Sequence, residues 1–517
     1  METNPKNLIS KIPTEVSHVT ETLEKAGFEA YLVGGCIRDL LMDQEPKDWD
    51  ITTNANPDQI MALFEKTVYE NTFGTVGVSV PRETLKEEVI RETPEYTIIE
   101  VTPFRLEAKY SDFRHPDEVK FSNKLEDDLK RRDFTVNAMS YRLSDKGHGL
   151  TDIFGGIKDI ENKVLRTVRN PNERFSEDAL RMLRAVRFSV QLGFSISHET
   201  SESISKNADL IKKISAERIH DEFVKIINSE NPSAGIVMLQ KFGLLKFIIP
   251  ELEEGIGCMQ SGEHIYDVWQ HLLYALQHAA DKKWPLHIRL AALFHDIGKP
   301  KSRRQETRVG RKQYTFYGHE VISARMAKKI MERLKFSRKE IELVEKLVRH
   351  HMFFSDTELI TLSAVRRIIT KVGAEHIWDL MNLRECDRVG TNKKETSYRL
   401  RKYHAMIEEA LRDPISVGQL KINGEYMMKE LGIKAGPRMG WMLNALLEEV
   451  LDDLSKNTVE HLSELVKSLN MLGDGELKAL GERGKEKKEE LEEKEVAKLH
   501  QKHGVRSGKG PERKTGA

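Results

Sequence analysis

Cysteine is scarce in this chain. Only Cys36, Cys258 and Cys386 occur in 517 residues, and no two of them stand in a CxxC spacing. That argues against a disulfide framework or a structural zinc cluster and fits a reducing compartment. Long hydrophobic runs are also missing: nothing approaches the ~18 apolar residues of a membrane span. The stretch Met1–Pro13 is polar, without the apolar core of a signal peptide. A cytoplasmic protein with no membrane partner is expected. Neither charge is in excess, since 82 basic and 82 acidic residues cancel. Any RNA partner must therefore be held by local basic patches and not by the field of the whole molecule. No internal repeat is visible, and nothing marks an oligomeric state.

What is present is length and pattern. The chain is long enough for roughly three to four domains. From about Thr14 to Tyr141 helical and strand patterns mix. Helices are expected at Thr14–Ala26 and Cys36–Met42, and strands near Glu29–Val33, Trp49–Thr53, Gly74–Val80 and Tyr96–Thr102. Pro103 to Leu125 is a long polar connection, and loops of that length tend to be functional. Beyond Asp152 the pattern is helical, with an apolar stripe through Glu177–Gln191. After Gly473 a Glu- and Lys-rich tail follows, with a solvated helix near Glu482–His500 and a disordered end.

One stretch carries chemistry by its spacing. Gly34-Gly35-Cys36-Ile37-Arg38-Asp39 is followed by Lys47-Asp48-Trp49-Asp50. Carboxylates at i and i+2 of a strand share a face, which suits Mg²⁺ ions that want oxygen ligands and bind substrate phosphates. The glycines leave backbone N–H groups open to a triphosphate at a helix start, and Arg38 offers a fork for phosphate oxygens. Each half of this pattern alone is common; together, on a strand–helix–strand frame, they are rare.

The combination resembles the signature of the class II tRNA nucleotidyltransferase and bacterial poly(A) polymerase family. Further segments match in order: Glu100 with Val-Thr-Pro-Phe-Arg, Arg131-Arg132-Asp133-Phe134-Thr135-Val136-Asn137, Asp152-Ile153-Phe154-Gly155-Gly156, Glu177-Asp178-Ala179-Leu180-Arg181, and Ser215-Ala216-Glu217-Arg218-Ile219. The resemblance implies an α+β fold, with a nucleotidyltransferase head over 1–150 built on a small mixed sheet. An all-helical neck (151–254), an HD domain (255–411), a C-terminal helical region (412–473) and the charged tail (474–517) follow. It implies that Asp48 and Asp50, with Glu100 assisting, hold Mg²⁺ for attack of an RNA 3′-hydroxyl on a nucleoside triphosphate. Gly34, Gly35, Arg38, Arg132, Asp133, Asn137, Arg184 and Arg187 are expected at the nucleotide. Asp178 and Arg181 are expected to share a helix face and to read the base of CTP or ATP; the plainer reading is an exposed Glu177–Arg181 or Asp178–Arg181 ion pair. The full-length loop 101–125, with Tyr110-Ser111-Asp112-Phe113-Arg114, favours CCA addition to tRNA over partial addition or poly(A) synthesis.

A second set comprises His271, His295-Asp296, Lys299, His319, His350-His351 and Asp387. Adjacent His295-Asp296 followed by Ile-Gly-Lys resembles the centre of the HD phosphohydrolase superfamily. Imidazoles with carboxylates suit Mn, Ni, Fe or Zn. His271, His295, Asp296 and Asp387 are expected to bind one metal. His319 with one of the His350-His351 pair, His350 being the position chosen, is expected to bind another, with Lys299 as support. A competing reading is an HD nucleotide hydrolase with an inactive transferase head. Candidate phosphate-tracking segments are Lys301–Arg304, Arg308–Lys312, Arg366-Arg367 and Lys393-Lys394.

Overall fold

The computed structural model describes residues 10–69, 74–81, 96–106, 120–143, 149–260, 265–308, 311–353, 361–389, 397–412 and 417–505. They form two compact units, residues 1–351 with 382–390 and residues 352–381 with 391–517. The expected 255–411 block is thus divided between them.

The first unit opens with a seven-stranded sheet. Its strands are β1 (Ala30–Val33), β2 (Asp50–Thr53), β3 (Thr67–Tyr69), β4 (Val76–Pro81), β5 (Tyr96–Pro103), β6 (Met139–Arg142) and β7 (Gly149–Asp152), in the order β3-β4-β5-β2-β1-β6-β7. Only β2 and β5 run parallel; the other pairs are antiparallel. Burial along β5 explains the layering. Ile99 and Val101 are buried while Tyr96, Ile98 and Glu100 are exposed, so one face is packed and the other open. Val16, Val19 and Leu23 of the Thr14–Lys25 helix and Ile60 of the Pro57–Leu63 helix join Leu32, Ile51, Val78, Ile99 and Val101 in one core. The second of these helices starts from a capping box, Asn56 with Gln59, and has Pro57 in its first turn.

After Asp152 the first unit is helical, apart from the parallel pair Val164–Leu165/Ser195–Ile196 and the hairpin Arg304–Arg308/Arg311–Thr315. Among the described residues no helix is long and apolar enough to cross a membrane. The three cysteines are free and buried.

In the second unit the expected tail helix is present and longer than 482–500. Asp474–Lys502 is a 29-residue helix; residues 506–517, where disorder was expected, lie outside the described residues. Its charge conceals a packed face made by Leu477, Gly481 and Gly484. A Cβ on Gly484 would lie 2.2 Å from the Asn444 carbonyl oxygen, and one on Gly481 2.7 Å from Trp441 Cα. The two glycines therefore let this helix lie directly against the backbone of the Pro437–Asp452 helix. Two missing side chains are a weak signal in sequence, which is why the segment reads as tail.

That close approach gives a test. Gly484→Ala should destabilise the second unit by about 1–3 kcal/mol, the usual range for overpacking. Urea unfolding would show it, with faster amide exchange in Pro437–Asp452; unchanged exchange there would contradict the packing.

Candidate functional site

Strand β1 ends at Gly34, whose φ of +86° lies in the left-handed region that favours glycine. A Cβ there would meet Arg132 Nη1 at 2.9 Å and the Asp50 carboxylate at 3.4 Å. The bare backbone thus lets a strand end, an arginine and an acid of the neighbouring strand converge. Gly35 then begins the Gly35–Leu41 helix. Asp50 pairs in register with Glu100 across β2 and β5; Asp48 and Glu100 are exposed. Burial pushes the Asp50 carboxyl above its ordinary value, Arg132 opposes the shift, and Asp48 adds to it. Asp48, Asp50 and Glu100 do not gather as tightly as the histidine groups described below.

Beside them runs a chain of buried polar groups. Arg38 Nη1 donates to Asn137 Oδ1 at 2.7 Å, and its Nε and Nη2 donate to Asp39 Oδ1 at 2.8 and 2.6 Å. Asn137 Nδ2 donates to Asp133 Oδ1 at 3.2 Å, which also accepts the Phe134 N–H at 2.8 Å. Asp133 Oδ2 accepts from Arg184 Nε at 2.8 Å and Nη2 at 2.5 Å. Burial alone would raise the Asp133 carboxyl, but Arg184, Asn137 and the Phe134 N–H hold it well below its ordinary value. Arg187 Nη1 donates to Glu222 Oε1 at 3.0 Å; burial still lowers Arg187 to about 10. Glu222 was not singled out in the sequence. Its signal was its place on the apolar stripe of Ile219, Phe223 and Ile226, where a carboxylate needs a partner.

Asp178 and Arg181 are not neighbours on one helix face. One helix ends at Glu177 and the next begins at Leu180, with Asp178 in extended conformation between them. Asp178 Oδ1 accepts the Leu180 N–H at 3.0 Å. A side-chain oxygen serving a free N–H in this way competes with a continuous helix. Arg218 holds both Asp178 oxygens, at 3.3 and 2.7 Å. Arg181 Nη1 donates to Glu177 Oε2 at 2.6 Å and to the Arg174 carbonyl at 2.9 Å. Its Glu177 pair therefore exists, but Arg181 is buried, not exposed.

The histidine site is compact. One metal-capable group is His271, His295, Asp296 and Asp387; a second is Asp296, His319 and His351. His271 Nε2 and His295 Nε2 are 3.0 Å apart, and His319 Nε2 lies 3.1 Å from Asp296 Oδ1. Each ring is turned by a backbone carbonyl at its outer nitrogen: Nδ1 of His271 to Val389 at 3.2 Å, of His295 to Ala292 at 2.8 Å, of His319 to Phe316 at 2.8 Å and of His351 to Val348 at 2.7 Å. Such contacts hold a proton on each Nδ1 and turn the Nε2 atoms inward, where each can ligate once it carries no proton. His351 replaces the expected His350. Successive helical positions are about 100° apart, so only one of the pair can face the cluster. His351 is fully buried, while His350 is half-buried at the end of its helix.

Both oxygens of Asp296 are buried without a well-aligned hydrogen bond, although Lys299 Nζ stands 2.5 Å from Oδ2 as counter-charge. Lys299 also donates to Gln260 at 2.6 Å. Burial would lower His295, yet Asp296 and Asp387 raise it to about 10. The cluster is an environment that draws positive charge, and its donor set fits a divalent transition metal. All these residues belong to the first unit, because the stretch 382–390 rejoins it.

Of the basic segments, Lys301 pairs with Glu254 at 3.5 Å, Arg303 lies over the Tyr314 ring, and Arg366-Arg367 are exposed. Lys393-Lys394 and the loop residues Tyr110–Arg114 lie outside the described residues.

Comparisons with known proteins agree along the chain. A family model for the poly A polymerase head domain matches residues 30–166. One for the probable RNA and SrmB-binding site of polymerase A matches 193–256, and an HD domain model matches 262–392. The CCA-adding enzyme of Lactobacillus helveticus is 32% identical over 461 residues, which is 87% of this chain and 96% of that one. That of Ligilactobacillus salivarius is 44% identical over 233 residues, 44% of this chain and 54% of its own. The crystal structure of the Bacillus stearothermophilus CCA-adding enzyme in complex with CTP superposes with a TM-score of 0.55 at 25% identity, covering 88% of this chain and 96% of that one.

Two outcomes follow from the geometry. His351→Ala should lower Mn²⁺ or Ni²⁺ affinity at least about tenfold, whereas His350→Ala should leave metal stoichiometry intact; elemental analysis after dialysis would decide, and the reverse result would restore His350 as the ligand. Asp133→Asn leaves Arg184 without its buried partner and should cost about 3 kcal/mol. Because the folded Asp133 carboxyl is depressed, its stabilisation is full above the unfolded value of about 3.9 and fades as pH falls. The variant's stability deficit should therefore shrink in acid, as read by urea unfolding at several pH values.

Proposed function

Because the chain belongs to the family of CCA-adding enzymes, we propose that it rebuilds the 3′ CCA end of tRNA from CTP and ATP. The observation that supports this most directly is the meeting of Asp50, Arg132 and Gly34 beside the Arg38–Asn137–Asp133–Arg184 chain.

In this reading the RNA 3′-hydroxyl attacks the α-phosphate and pyrophosphate leaves. Asp48 and Asp50, with Glu100 on the neighbouring strand, would hold Mg²⁺; their hard oxygen donors suit that ion, and Asp50 is a carboxylate that burial and Asp48 leave short of positive charge. The bound ions would make the hydroxyl more nucleophilic and offset charge on the triphosphate. Arg38 and Arg132 orient the triphosphate near the backbone at Gly34 and Gly35. Asn137 contacts the ribose, oriented by Asp133, whose acceptor positions are taken by Phe134, Asn137 and Arg184, while Arg187 supports the pocket wall through Glu222.

Base choice would fall to Asp178 and Arg181. Three of the roughly four acceptor positions on a carboxylate are used at Asp178, by Leu180 and Arg218. The remaining one can accept from the exocyclic amino group that cytosine and adenine share. Guanine and uracil place an acceptor at the same edge, which the carboxylate repels. One such contact discriminates by about 1–3 kcal/mol, so pocket shape must add to it.

The histidine cluster supports a second activity, a metal-dependent phosphohydrolase. His271, His295, Asp296, His319, His351 and Asp387 would hold Mn, Ni, Fe or Zn, a fit carried by the buried Asp296 oxygens that lack aligned donors. Bound there, such metals would supply Lewis acidity for hydrolysis of a phosphate ester. Lys299 would stabilise the charge that develops on the phosphate oxygens.

The direct test supplies the protein with Mg²⁺, a tRNA ending at the discriminator base, and CTP, ATP or both. Addition of three nucleotides, and only with both triphosphates, is the expected result. A stop after two would make it a CC-adding enzyme, and a long ladder with ATP alone a poly(A) polymerase. Asp50→Ala should abolish addition and spare phosphate-ester hydrolysis, while Asp296→Ala should do the opposite.

A further inference from the structure

Phe188 carries three guanidinium groups on its ring, and the reaction scheme above gives it no task. Arg187 Cζ lies 4.1 Å from the ring centroid, Arg184 Cζ 5.3 Å and Arg38 Cζ 5.5 Å. Phe134 meets the ring edge-on at 5.7 Å between centroids. The side chain is nearly buried, where the negative face of an aromatic ring attracts cations more strongly than it does in water.

The three cations come from two helices. Arg38 belongs to the Gly35–Leu41 helix, whereas Arg184 and Arg187 belong to the Leu180–Leu192 helix. Each has acidic neighbours: Asp39 for Arg38, Asp133 and Glu222 for Arg184, and Glu222 for Arg187. Asn137 and Asp133 link Arg38 to Arg184, and Glu222 links Arg184 to Arg187. The ring is a contact that all three share.

We propose that Phe188 is a positioning residue for nucleoside triphosphate binding, holding Arg38, Arg184 and Arg187 in the arrangement that receives the triphosphate and ribose. The inference rests on the reading of this pocket as the triphosphate site. A leucine fills comparable space without a π face, and a tyrosine keeps the face.

Initial rates with a tRNA lacking only its terminal A, or its whole CCA, test the idea. Phe188→Leu should raise KM for CTP and ATP about tenfold, the equivalent of ~1.4 kcal/mol and within the range for a shielded cation–π contact. Its kcat should change less than about twofold, since binding of the ground state and transition state is lost alike. Phe188→Tyr should restore KM. Progressively fluorinated phenylalanine at 188 keeps the shape while weakening the ring's negative face, so KM should climb with fluorination at constant melting temperature. That series decides the matter even where the leucine variant folds poorly. A flat KM across it, or a leucine defect that tyrosine does not repair, overturns the proposal. Failure of the unaltered protein to add any nucleotide would instead overturn the pocket reading beneath it.

Discussion

The arrangement of the transferase pocket depends on one buried carboxylate. Asp133 accepts the Phe134 N–H, the Asn137 amide and two bonds from Arg184, and so ties a turn of the head to a helix 51 positions further along the chain. Burying that charge is costly in isolation; four directed donors make it tolerable. Once it is in place, Asn137 has a fixed orientation and passes it to Arg38. Arg184 in turn stands beside Phe188, whose ring also meets Arg187 and Arg38. The pocket is therefore set by a polar chain rather than by apolar packing alone, which gives its arginines defined directions.

The histidine cluster follows the same logic with different chemistry. Four backbone carbonyls turn four imidazoles inward around Asp296. The chain leaves the first unit after His351 and returns for 382–390, bringing Asp387 and the Val389 carbonyl with it. A site whose donors come from helices so far apart in sequence is kept rigid by short backbone contacts at each ligand. That rigidity is what metal binding requires.

The two centres balance their charges differently. In the head pocket Arg38, Arg132, Arg184 and Arg187 are each paired with an acid, Asp39, Asp128, Asp133 and Glu222. In the histidine cluster carboxylates sit among imidazoles, and the potential draws a cation, as the raised His295 indicates.

Local pattern was enough for β1, β2, β4 and β5 and for the first two helices of the head, but it missed β3, β6 and β7; the Gly34–Asp50 constellation and the histidine candidates came from spacing together with resemblance. Alternation, glycine pairs and adjacent His-Asp are short-range signals, and the chemistry they imply needs little tertiary help. Other features were decided only by packing. Whether His350 or His351 faces the metal-capable group depends on helix rotation. Whether Asp178 and Arg181 share a face depends on a break that Asp178 makes with its own side chain. Glu222 and Arg218 acquire meaning only once their partners are brought close, and the Lys- and Glu-rich tail becomes a packed helix because Gly481 and Gly484 fit against a neighbour's backbone. Residue types settle which chemistry is available. The approach of segments distant in sequence settles which of those residues meet, because direction and burial arise only when helices and strands pack.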